Sequence, residues 1–79
     1  MPERGSPTRA AALRAKLIEA RQAKGLKQTE LARQLGRPQS FVSNYENGQR
    51  KLGVIEFIDI AQALGLEPAD MMSELASST

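Results

Sequence analysis

Residues 28–47 read Gln-Thr-Glu-Leu-Ala-Arg-Gln-Leu-Gly-Arg-Pro-Gln-Ser-Phe-Val-Ser-Asn-Tyr-Glu-Asn. Apolar residues recur at helical spacing on both sides of Gly36-Arg37-Pro38: Leu31, Ala32 and Leu35 before, Val42 and Tyr45 after. A connection this short forces the two helices across each other steeply. Gly36 can take the positive φ that other residues resist, and the small Ala32 allows close approach. Leu31, Leu35, Val42 and Tyr45 are then expected to meet in one wedge of core.

Glycine and proline divide the rest of the chain into pieces of helical length. No piece alternates as a half-buried strand would, and β-branched residues are few. The spacing predicts an all-α fold of five short helices within a domain at 8–76, preceded by a mobile arm at 1–7 and followed by a frayed tail at 77–79. The first helix runs from about Thr8 to Lys24, capped by Ser6 or Thr8, with Leu13, Leu17, Ala20 and Lys24 on one stripe. The second is Gln28 to Leu35 and the third Gln39 to Asn47. The fourth, Val54 to Leu64, is expected to be the most buried. Its Val54, Phe57, Ile58, Ala61 and Leu64 converge, while Glu56 and Asp59 point away. The fifth begins with Pro68 at its first position.

Composition excludes most chemistry. The 79 residues include no cysteine and no histidine. That removes disulfides, cysteine-based metal sites, the usual general base and the commonest zinc ligand. No carboxylate pair sits in a catalytic motif, so neither an enzyme nor a cofactor or metal site is expected. No apolar run approaches the length of a membrane span, and no secretory signal is visible, so a cytoplasmic protein is expected.

Charge is unevenly distributed. Residues 1–51 carry all eleven basic residues and four acidic ones, a balance of +7, whereas residues 52–79 carry five acidic residues and no basic one. The asymmetry suits an anionic partner for the first part, with nucleic acid the leading candidate. Charge alone is equally served by a solvated surface.

The third helix adds a sharper signal. At about 100° per residue, Gln39, Ser40, Ser43, Asn44 and Asn47 share one arc. All five are short, uncharged and able both to donate and to accept. A face built only for solubility would carry Lys and Glu. Gln and Asn can pair bidentately with adenine in the major groove, and Ser can reach either base type. Phe41 lies at the border of this arc, exposed, where it either touches a thymine methyl or packs on Tyr45.

Four motifs together carry a family resemblance: Gly25-Leu26-Lys27-Gln28-Thr29-Glu30-Leu31-Ala32, Leu35-Gly36, Ser43-Asn44-Tyr45-Glu46-Asn47-Gly48, and Ile60-Ala61-Gln62-Ala63-Leu64-Gly65. From about Leu17 to Met72 the chain resembles the Cro and phage-repressor type of helix-turn-helix regulators, the xenobiotic-response-element family. The resemblance implies a five-helix domain that docks its third helix in the major groove of double-stranded DNA, usually as a homodimer on a two-fold site. It implies base reading by Gln39, Ser40, Ser43 and Asn44. It places Gln28, Asn47, Arg50 and Lys51 where the family touches the DNA backbone, and Arg21 and Glu46 where the family has an ion pair behind the third helix.

Three positions depart from the pattern. Lys27 stands where Ser or Thr usually caps the second helix, so a side-chain cap is lost and a phosphate contact becomes available. Arg37 replaces an apolar turn residue, its stem packing and its charge reaching solvent or DNA. Pro38 replaces Ser or Thr, starting the third helix from a rigid φ.

Met71, Met72 and Leu75 are expected to divide between core and dimer seam. Arg4 and Arg9 could enter a minor groove, although short arms are more often merely disordered. The function expected is sequence-specific regulation of transcription, as a repressor, controlled by concentration, a partner or proteolysis. The alternative is an antitoxin or protein-interaction module that uses the same fold as a scaffold for a protein partner.

Overall fold

The computed structural model describes residues 8–77. The expected arm at 1–7, with Arg4, and the last two residues lie outside them. Five helices follow in order: α1 (Arg9–Ala23), α2 (Gln28–Leu35), α3 (Gln39–Glu46), α4 (Val54–Ala63) and α5 (Pro68–Ser77). α5 runs through Ser77, one residue beyond the expected end of the domain, and the Ser77 hydroxyl bonds back to the Ser73 carbonyl at 2.7 Å.

The starts of α1, α2 and α4 are held by local devices. The Thr8 hydroxyl accepts from the Ala11 N–H at 3.0 Å and begins α1. α2 has no capping hydroxyl, but Glu30 reaches back to accept from the Lys27 N–H at 2.8 Å. Glu56 does the same for the Gly53 N–H at 3.0 Å ahead of α4. A carboxylate in a first turn also suits the positive end of the helix dipole. Between α2 and α3, Gly36 takes φ 68° in the left-handed region. A β-carbon there would strain the backbone and loosen the angle between the two helices.

The core gathers Leu17 from α1, Leu31 and Ala32 from α2, Phe41, Val42 and Tyr45 from α3, Phe57, Ile60 and Ala61 from α4, with Leu64 and Met71. Leu31, Val42 and Tyr45 of the expected wedge are fully buried, with Leu35 packed against them. α2 packs on α3, α1 on α3, α2 on α4, and α5 closes against α1 and α4. α3 is therefore braced from behind by two helices while one face stays open.

Two packing expectations are corrected. Val54 is 60% exposed, and Ile60, not Val54, completes the buried stripe of α4. α4 is apolar almost all round, so periodicity alone could not choose its inner face, and Val54 sits in a first turn that no neighbouring helix covers. Phe41 is buried, not exposed. Its ring meets Tyr45 edge-on, with centroids 5.6 Å apart.

Tyr45 carries one cost. Its hydroxyl is the buried side-chain polar atom left without a hydrogen-bond partner among the described residues. Burial, and then the Glu46 charge, push its ionisation well above the ordinary 10.0. Tyr45→Phe should therefore stabilise the fold by about 1 kcal/mol. Thermal denaturation would register a rise of about 4–8 °C. A fall in midpoint would show that the hydroxyl is satisfied.

Candidate nucleic-acid interface

The open face of α3 carries Gln39 and Ser40 exposed, and Ser43 and Asn44 half-buried. Asn47 is exposed just past the helix. Its side-chain oxygen accepts from the Gln49 N–H at 2.9 Å, so part of its polarity is spent on its own turn. Following α3 round, Glu46 borders the Gln39 edge and Phe41 borders the Asn44 edge. A separate side-chain assembly holds each border.

On the first border, Arg21 of α1 meets Glu46 in a two-pronged ion pair, Nε to Oε2 at 2.7 Å and Nη2 to Oε1 at 3.1 Å. Its third arm donates to the Leu26 carbonyl at 2.7 Å. The pair is enclosed, with side chains 12% and 6% exposed. Glu46 Oε1 accepts a further bond from Gln28 Nε2 at 2.8 Å, and Gln28 Oε1 accepts from Gln39 Nε2 at 2.8 Å.

This chain has a fixed polarity. A carboxylate only accepts, so Gln28 must turn its amide nitrogen toward Glu46 and its oxygen toward Gln39. Gln39 then spends one N–H on Gln28. Its second N–H and its Oε1 remain, a donor–acceptor pair complementary to the major-groove edge of adenine. Gln28, placed by resemblance at the DNA backbone, is thus also the group that orients Gln39.

On the second border, Arg37 from the turn and Arg50 from the loop after α3 converge on Glu56. Arg37 Nη2 lies 3.3 Å from Glu56 Oε2, and Arg50 bonds to the same oxygen. Both guanidiniums also lie against the Phe41 ring, at 4.5 and 5.0 Å from its centroid. Glu56 was expected to point away from the fold. It is only 19% exposed, and its carboxyl is held below the ordinary range, first by the Gly53 N–H and then by Arg50. The Gly-x-x-Glu spacing at the start of α4 was the available signal, because a third-position glutamate turns back toward the helix N-terminus.

Lys27 and Lys51 are exposed at the ends of this surface, and neither meets a carboxylate among the described residues. Arg14 was not singled out by sequence. Its guanidinium lies behind Gly48, where a β-carbon would come within 3.3 Å of it. Gly48 has φ 86°, so its backbone disfavours any side chain there, and the end of Arg14 would have to shift by a few tenths of an ångström to admit one. Arg9 is the first residue of α1. Met71 is buried in the core, whereas Met72 is 48% exposed and lines an apolar groove with Leu75, Leu13, Leu52 and Val54. No cluster of carboxylates suited to a metal occurs among the described residues. No helix there is long and apolar enough to cross a membrane.

The match to known proteins covers the same region. A family model described as helix-turn-helix matches residues 17–71, from the middle of α1 into α5. The chain belongs to the XRE-family helix-turn-helix proteins. This is a family of DNA-binding regulators of transcription. The XRE-family chain is similar to a solved structure described as an XRE-family like protein from Pseudomonas syringae pv. tomato. The two share 51% identity at a TM-score of 0.85, over 90% of this chain and 87% of that one. It is also similar to the clp gene regulator ClgR from Corynebacterium glutamicum, with 30% identity and a TM-score of 0.77 over 91% and 77% of the two chains. The restriction-modification controller protein C.AhdI from Aeromonas hydrophila shares 35% identity at a TM-score of 0.72, over 78% of this chain and 94% of that one. No curated protein matches the chain. In this XRE-family protein the motif at 28–47 thus forms the two crossed helices, and its polar residues lie on the one face of α3 that no other helix covers.

Proposed function

We propose that this protein is a sequence-specific repressor that reads the major groove with α3 and binds as a homodimer. The observation that carries the reading is the Arg21–Glu46–Gln28–Gln39 chain of bonds. It fixes the hydrogen-bonding sense of a side chain on an otherwise open face, and its outer link, the exposed Gln28–Gln39 bond, serves no need of the core. Gln39, Ser40, Ser43 and Asn44 read bases. Gln28, Lys27, Arg37, Asn47, Arg50 and Lys51 supply contacts to phosphates, which position the helix without carrying sequence information. The similarity to ClgR, described as a gene regulator, and to the controller protein C.AhdI supports a regulatory role. The protein works without catalysis and without a cofactor.

The two-fold partner belongs on the apolar surface that α4 and α5 leave uncovered. Val54, Ile55 and Met72 are 60%, 69% and 48% exposed. Met71, considered for the seam on sequence, is already used in the core, so the seam centres on these three residues with Leu75 beside them. Ile55→Asp should weaken self-association about tenfold or more, since it sets a charge in place of buried apolar area. Sedimentation equilibrium reads this directly. An unchanged association constant would move the seam elsewhere.

The deciding experiment is selection of binding sites from a random duplex pool at moderate salt, followed by footprinting. An enriched palindrome with half-sites about one helical turn apart supports the reading. Binding that shows no enrichment and vanishes as salt rises would leave only the basic surface at work. It would favour a protein-interaction or antitoxin role for the same fold.

A further inference from the structure

A helix in the major groove has a phosphate backbone along each side. The second border of α3 therefore faces one strand, and there the protein displays two guanidiniums joined by a single carboxylate. Arg37 and Arg50 come from segments on opposite ends of α3, and each is long enough to swing freely. Instead both lie on the Phe41 ring and meet at one oxygen of Glu56. The two arginine side chains are 42% and 43% exposed, and each gives Glu56 one nitrogen. The carboxylate is the inner member, and its other oxygen is anchored on the Gly53 N–H at 3.0 Å.

We propose that Glu56 is a specificity-determining residue, a built-in phosphate surrogate that ties Arg37 and Arg50 into one fork beside the reading face. The proposal rests on the DNA-binding reading above and adds a residue that touches no base and no phosphate. Glu56 acts in two ways, and both favour the cognate site over other DNA. It cancels one of the fork's two charges, which weakens loose association with any duplex. It also holds both guanidiniums in one arrangement, so little ordering remains to be done when α3 docks and a phosphate arrives in register. On random DNA, where phosphates arrive in every register, a fixed fork is a handicap and free arginines would adapt.

Three variants separate these effects. Glu56→Gln keeps an oxygen for the Gly53 N–H, and so keeps the start of α4, but removes the charge. It should bind random duplex DNA about fivefold tighter at physiological salt, with the salt slope steeper by about one unit. On the selected operator, lost ordering offsets the added charge, so the operator-to-random ratio falls by about the same fivefold factor. Glu56→Asp keeps the charge and withdraws the carboxylate by one methylene from both guanidiniums. It should lower operator affinity and raise random binding by less than Glu56→Gln does, with the salt slope unchanged. Asp59→Asn is the charge control. Asp59 is exposed on the same helix and lines the same small cavity as Arg37 and Glu56, but it forms no ion pair among the described residues, so its loss should raise both affinities equally and leave the ratio alone.

Filter binding or fluorescence anisotropy at several salt concentrations reads every arm. In an Arg37→Gln/Arg50→Gln background the random-duplex effect of Glu56→Gln must shrink to that of Asp59→Asn. If it keeps its full size there, or if neither Glu56 variant moves the ratio, the proposal is overturned. If the wild-type chain selects no operator, base reading fails instead. The random-duplex arm with its arginine-free background then still shows whether Glu56 restrains the two arginines.

Discussion

Arg21→Met should cost about 3–5 kcal/mol of folding stability, the expected loss when one partner of an enclosed ion pair is removed. Glu46 would remain almost fully enclosed with only the Gln28 amide to meet it, and the Leu26 carbonyl would lose its donor. For a domain of this size the loss is comparable to the whole stability. The thermal midpoint should drop by about 12 °C or more, and much of the chain should be unfolded at physiological temperature. Adding Glu46→Gln should recover at least half of the loss. The damage comes from a stranded charge, and a neutral amide at position 46 can still accept from Gln28. Thermal and urea denaturation of the two variants check this. A small loss in the single variant, or no recovery in the double, would mean that water reaches Glu46.

Gln39→Ala should weaken binding to the selected operator by about 1–3 kcal/mol and leave random DNA nearly untouched. The bonded chain makes a second expectation available. Gln28→Ala should also erode discrimination at the base that Gln39 reads, because Gln39 then loses the acceptor that fixes its amide. A neutral residue that met phosphate alone would weaken all sequences alike. Competition titrations with operator variants at that base separate the two outcomes. Equal losses on operator and random DNA for Gln39→Ala would remove it from the reading face.

These two experiments bear on different layers of one assembly. Arg21 and Glu46 join α1 to the end of α3, and Gln28 continues the same bonds onto the start of α3. Stability and reading geometry are therefore coupled through Glu46. A variant that loosens the pair without unfolding the chain should lose operator discrimination before it loses general affinity for DNA.

Much of this could be read from the chain before its structure. Five helices, the crossing at Gly36 and the polar stripe on α3 depend on residues within a few positions of one another, and helical spacing records such relations directly. The pairing of Arg21 with Glu46 joins residues 25 positions apart. Only the family resemblance made it visible, and composition gave no hint of its three further bonds. The missing cap on α2 was read correctly as a missing hydroxyl. That Glu30 would serve instead was overlooked, although its position three residues along was in plain view.

The failures share a cause. A helical wheel turns Val54 inward and Glu56 outward and leaves Phe41 at an exposed border, whereas Val54 is exposed, Glu56 is largely enclosed and Phe41 is buried against Tyr45, one of its two expected outcomes. A wheel orders side chains around an axis but does not say which neighbouring element arrives at which angle. α4 has apolar residues on nearly every side, so its buried face was set by where α2 and α5 pack. Phe41 is covered because two arginines from outside α3 lie across it, and they lie there because Glu56 holds them.

Sequence by itself determined the elements of this protein and the one polar face that can meet bases, because both follow from short-range periodicity and turn chemistry. Only the tertiary structure decided how that face is held. The sense of Gln39 and the joining of Arg37, Arg50 and Glu56 depend on donors and acceptors brought together from distant parts of the chain. A polar group that leaves water must find its partner wherever packing has put one.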